Sequence, residues 1–103
     1  MTQELSIPDD IDKADEAIEM VRFWLADGDA VMSLNLGIFE PEHEAHMWGF
    51  ILADTMKHAV RGMLQRHPEI GDVEGLLAQV ETGMRDRLRQ SPEFSGQVQR
   101  SQH

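Results

Sequence analysis

AIEMVRFWLADGDAVMSLNLGIF, residues 17–39, decides the fold. Two runs rich in branched and aromatic side chains flank Asp27-Gly28, a pair suited to a type I′ turn because both central positions need positive φ. The side chains set the register. With a two-residue loop, Phe23 faces Met32, Val21 faces Leu34 and Leu25 faces Ala30, with Glu19 opposite Leu36 at the far end. One face is then almost wholly apolar, while the other carries Trp24 with Val31, Arg22 with Ser33 and Met20 with Asn35. A three-residue loop would pair Trp24 with Met32 and Arg22 with Leu34, mixing polar and apolar partners on both faces, and is rejected.

Outward from this hairpin, the period becomes helical at Pro41 and stays so until Pro68, which disfavours helical geometry at His67. Proline suits the first helical position, and Glu42 and Glu44 suit the positive end of the helix dipole. Ala45, Trp48, Gly49, Leu52, Met56, Ala59, Val60 and Met63 form a broad apolar stripe at three- and four-residue steps. A second helix starts after Asp72, a fitting N-cap, with a narrower stripe of Val73, Leu76, Leu77, Val80, Met84 and Leu88. The expected class is α+β: an antiparallel hairpin over about 18–26 and 30–39, a long helix over about 41–67 and a second over about 72–90.

At 103 residues this is one domain, residues 1–90, preceded within it by an acidic segment, 1–17, and followed by a polar tail, 91–103, expected to be disordered. In the acidic segment PDDIDKADEA, residues 8–17, suits a loop or a single surface turn of helix. It fails as a calcium loop, because Ala14 stands where the third ligand belongs and Asp15 where the sharp turn needs glycine.

Net charge is −10, and it is uneven: residues 1–54 hold 13 acidic and 2 basic side chains, giving −11, and residues 55–103 hold 6 and 7, giving +1. Such a surface repels phosphate backbones and anionic lipid, so neither nucleic acid nor membrane is an expected partner. The chain has no cysteine, which excludes disulfides and thiolate chemistry and suits a reducing compartment. MTQELSIPDD is not a signal peptide and no apolar run reaches membrane-span length, so a cytoplasmic protein is expected.

A lone hairpin has two unpaired edges and little stability of its own. The long helix, at 1.5 Å per residue, spans about 40 Å, more than a small domain readily covers. On the helix face opposite the stripe sit Met47 and Phe50, with Ile51 at its margin, and Trp24 on the more polar sheet face needs a cover. Trp24, Met47, Phe50 and Ile51 are therefore the expected interface of a homodimer, or of a complex with another protein. Coverage by the second helix or the tail of the same chain is the alternative.

EPEHEAHMW, residues 40–48, raises the question of a metal site. The zinc-protease motif spaces its histidines four apart around a glutamate; here His43 and His46 are three apart. They can still share a helix face, but zinc needs a third protein ligand, which only Glu42 or another chain could readily give. His43 and His46 are the only metal candidates, against the simpler reading of surface histidines among glutamates. Asp54 and His58, four apart, have general-base spacing, but no nucleophile accompanies them and no catalysis is assigned. Gly-rich phosphate loops and serine elbows are absent. No cofactor is expected. Of the six internal methionines, Met56, Met63 and Met84 fall at core spacing, while Met47 does not.

VRFWLADGDAVMSLNLGIFEPEHEAHMWGFILAD resembles a family of short alphaproteobacterial proteins grouped as a domain of unknown function. The carrying features are Trp24-Leu25-Ala26, the Asp27-Gly28 turn, Ser33 to Gly37 and Trp48 to Asp54, and the resemblance spans roughly residues 4–67. It implies a small stand-alone protein and transfers no activity. The expected function is a homodimeric interaction or regulatory module without catalysis. The alternatives are a metal-binding protein or enzyme using His43 and His46, and a small domain enclosing an apolar ligand between hairpin and helices.

Overall fold

The computed structural model describes residues 1–90 and 97–101. A short helix α1, Asp9–Lys13, precedes strands β1, Val21–Ala26, and β2, Asp29–Asn35. Helix α2, Pro41–Arg66, is followed by a single 3-10 turn, Pro68–Ile70, then helix α3, Val73–Arg89, and strand β3, Gln97–Ser101. An antiparallel hairpin followed by a long and a second helix makes the molecule α+β, as its side-chain periods predict.

β1 and β2 pair in the expected register, from Val21 opposite Leu34 to Ala26 opposite Asp29. Asp27 at φ 51° and Gly28 at φ 86° supply the two positive φ angles that close so short a loop. The strands are shorter than expected at their open end. Asn35 N donates to Met20 O at 3.0 Å, and Asn35 Nδ2 then takes the Glu19 carbonyl at 3.2 Å, so a side chain replaces the next rung. Beyond it, Gly37 at φ 90° turns the chain out of the sheet before Ile38 and Phe39, expected as strand, can pair.

Within the segment read as a polar tail, Gln97–Ser101 lies parallel to β2, giving the sheet order β1-β2-β3; residues 91–96 and 102–103 lie outside the described residues. β2 is thus the central strand, with β1 on one side and β3 on the other.

α2 opens with proline and ends at His67, whose φ of −140° and ψ of 77° are those of a residue held out of the helix by the following proline. Asp72 Oδ1 caps α3 by accepting from Gly75 N at 2.7 Å. α2 and α3 pack together, and each holds one buried apolar side chain, Val60 on α2, fully buried, and Leu76 on α3, 4% exposed. Among the described residues these two are the buried apolar side chains of the molecule. No Cα of the sheet lies within 8 Å of a Cα of α2 or α3.

Candidate functional site

The apolar face of the hairpin is open. On it Phe23 is 54% and Leu25 76% exposed, with Val21 beside them also exposed, while their partners Ala30, Met32 and Leu34 on β2 are half-buried. The first residues of the chain run along β1 beside residues of both faces, Val21 and Phe23 as well as Arg22 and Trp24. Leu5, Ile7, Ile11 and Ile18 run beside Phe23 and Trp24 and form an open groove there, which leaves Trp24 half-buried. The apolar concavity thus lies between the N-terminal segment and β1. Neither this groove nor the one beside Leu25 takes a wall from α2 or α3, and among the described residues no Cα of the sheet comes within 8 Å of a Cα of those helices.

α2 is open over its first half. Val60 is buried and Met56 one turn earlier is half-buried, but at Leu52 the same stripe is 50% exposed, and Gly49 and Ala45 are exposed. The stripe read from sequence as core is therefore buried at Val60 and half-buried at Met56 and Trp48, and exposed at its other positions, Met63 included. Of the residues expected at an interface, Met47 and Ile51 are half-buried, and Phe50 is 52% exposed with its ring centroid 4.8 Å from that of His46.

Between these two open surfaces lies a built connection that the sequence reading missed. Glu44 Oε2 accepts from Gly37 N at 2.8 Å and from Trp48 Nε1 at 3.3 Å. One carboxylate on the first turn of α2 thereby ties down both the turn that leaves β2 and the indole one helical turn on. The signal was present as Glu44 and Trp48 at i and i+4, a spacing that puts two side chains side by side. Reading Glu44 only as a dipole partner passed over it.

The metal candidates stay apart from other donors. His46 stacks beside Phe50, His43 lies exposed on the first turn, and among the described residues no three His, Asp or Glu groups gather where they could hold an ion. Glu44, the nearest carboxylate in sequence, spends its Oε2 on Gly37 and Trp48. Asp54 and His58 are both exposed on α2. His67 Nδ1 lies 3.4 Å from Glu69 Oε1, an exposed pair.

One electrostatic cluster fixes the N-terminal segment to the sheet. Arg22 donates from Nε to Glu19 Oε1 at 2.7 Å and from Nη2 to Oε2 at 3.0 Å, and its Nη1 lies 4.0 Å from Glu4 Oε2. The hydrogen bond from Arg22, reinforced by its charge, holds the Glu19 carboxyl below the usual glutamate range, and the same pairing raises the Arg22 guanidinium. Among the described residues no helix is long and apolar enough to cross a membrane.

A family model for a domain of unknown function, DUF5076, matches residues 4–91, and the chain belongs to that family. The match runs past the resemblance seen in residues 4–67 and takes in the whole of α3. No curated protein matches the sequence. Among solved structures, one described as a "putative pyruvate dehydrogenase from the photosynthetic bacterium Rhodopseudomonas palustrus" is similar, with 22% identity and a TM-score of 0.69, covering 99% of this chain and 96% of that one. At that identity the shared property is the fold.

Proposed function

We propose that this DUF5076 protein is a homodimeric protein-interaction or regulatory module that carries out no catalysis of its own. The observation that carries the reading is the apolar surface left in solvent on both the sheet and the long helix, Phe23 and Leu25 on the one and Leu52 and Phe50 on the other; among the described residues no Cα of the sheet comes within 8 Å of a Cα of α2 or α3. Scattered exposed apolar side chains are ordinary, but a contiguous apolar sheet face with no cover marks a binding surface. The chain's radius of gyration of 15.8 Å, against about 13 Å for a compact domain of this length, points the same way.

Self-association is favoured over binding of an unlike protein because the two surfaces lack covers on the same molecule, and a second copy brings both covers at once. The name of the similar structure suggests dehydrogenation, but the likeness carries only the fold, and this reading takes no reaction from it. A cytoplasmic home, suited to a cysteine-free chain, belongs to the same reading.

Light scattering on a size-exclusion column tests it. At tens of micromolar the mass is expected at twice 11.7 kDa. A mass of one chain at that concentration overturns the proposal.

A further inference from the structure

We infer that the two copies associate reciprocally, the open sheet face of each lying over the exposed N-terminal half of α2 of the other. This rests on the homodimer reading and adds which surface meets which.

Four observations support the arrangement. First, a chain's sheet is held off its own helix. Only the residues from Leu36 to Glu40 join β2 to α2, and Gly37, at φ 90°, is tied back to the first turn of α2 by Glu44. Second, the surfaces match in size. The six- and seven-residue strands span roughly 20–23 Å at about 3.3 Å per residue. The part of α2 ahead of its contact with α3, Pro41 to Met56, spans roughly 24 Å at about 1.5 Å per residue. Third, the open half continues a stripe that is buried further along: Val60 is buried and Met56 half-buried, and Leu52, Gly49 and Ala45 extend the same row into solvent. At Gly49 an added Cβ would meet nothing within 4 Å, so a sheet can approach there.

Fourth, there is surface to bury. The chain exposes 9111 Å², against about 5,900 Å² for a compact monomer of this mass, and a specific dimer needs only about 800 Å² from each partner. A two-fold axis closes the arrangement, since the same pair of surfaces is used twice.

Because the chain has no cysteine, introduced thiols are its only ones. The test is the double variant Phe23→Cys with Leu52→Cys, and independently Leu25→Cys with Gly49→Cys, each treated with a short bis-maleimide and run on a denaturing gel beside the four single variants. Each pair joins one residue of the sheet face to one of the α2 stripe. Circular dichroism and light scattering of each variant, before reaction, establish that it is folded and dimeric.

A covalent two-chain band in at least one folded, dimeric double variant is expected, at least tenfold stronger than in its single variants. Cross-linking within one chain, or none in both, with light scattering still reporting a dimer, overturns this arrangement and leaves the homodimer standing. Monomeric wild-type protein overturns the homodimer and this inference with it.

Discussion

Asp72 and Leu76 sit one turn apart and stabilise α3 in different ways. The Asp72 carboxylate accepts the Gly75 amide at 2.7 Å, one of four that the helix start leaves without a backbone partner. Asp72→Ala is expected to lower stability by about 1 kcal/mol, read from chemical denaturation. Leu76 is the buried apolar side chain of α3, and Leu76→Ala is expected to cost about 2–4 kcal/mol, a loss of apolar transfer plus the cavity left behind. If the two substitutions cost the same, Leu76 is not the packing residue its burial indicates. Arg22 and Glu19 form a third case, in which the effect lies in titration. A carboxyl whose folded pKa is depressed stabilises the fold above its unfolded value, and that contribution fades as pH falls from the ordinary glutamate range through the lower folded value. Both side chains are about half exposed, so the contribution to stability is small. Titration followed by NMR is expected to find Glu19 protonating below the ordinary glutamate range and moving up toward it in Arg22→Ala; no movement of Glu19 in that variant would remove Arg22 as the cause.

Among the elements, the junction from β2 to α2 has the most specific geometry. Glu44 holds the Gly37 amide and the Trp48 indole together, so Glu44→Ala is expected to speed exchange of the Gly37 amide by about tenfold or more and to shift Trp48 fluorescence, while Glu44→Gln, which keeps an acceptor oxygen, changes both less. Equal exchange in Glu44→Ala and wild type would show that the turn at Gly37 holds itself. This junction also marks where the sequence stopped being legible. The hairpin register could be read because the two-residue loop pairs Val21, Phe23 and Leu25 with Leu34, Met32 and Ala30 on one face, and the helix limits because Pro41, Pro68 and Asp72 act through local backbone geometry. The strand ends could not, because Asn35 and Gly37 terminate β2 through bonds to Glu19 and Glu44, residues 16 and 7 positions away. The helix stripe was read correctly as apolar from Ala45 to Met63, but periodicity reports which side chains need cover and not which chain supplies it. Val60 found its cover in α3; Leu52 did not.

At the scale of the whole molecule, charge and apolar surface act against each other. Each copy carries −10 at neutral pH, so two copies repel, and the surfaces proposed to join them, around Phe23, Leu25, Leu52 and Gly49, have no charged side chain at their centre to offset that repulsion. Salt screens the repulsion, its range falling from about 10 Å at 0.1 M to about 3 Å at 1 M, and leaves the burial of apolar area intact. Dimerisation is therefore expected to tighten, by roughly three- to tenfold in Kd, as sodium chloride rises from about 0.05 to 0.5 M. An interface held by cross-chain ion pairs would loosen over the same range, so sedimentation equilibrium at several salt concentrations separates the two. The same balance makes the melting temperature rise with protein concentration, because folding of the exposed halves is coupled to their burial against a partner. Phe23→Glu puts a further negative charge at the centre of the sheet face, and it is expected to give a monomer whose α2–α3 contact, distant from the change, still forms. If that variant remains dimeric at tens of micromolar and its dimer weakens with salt, the association runs through the charged surface and the apolar faces have some other use.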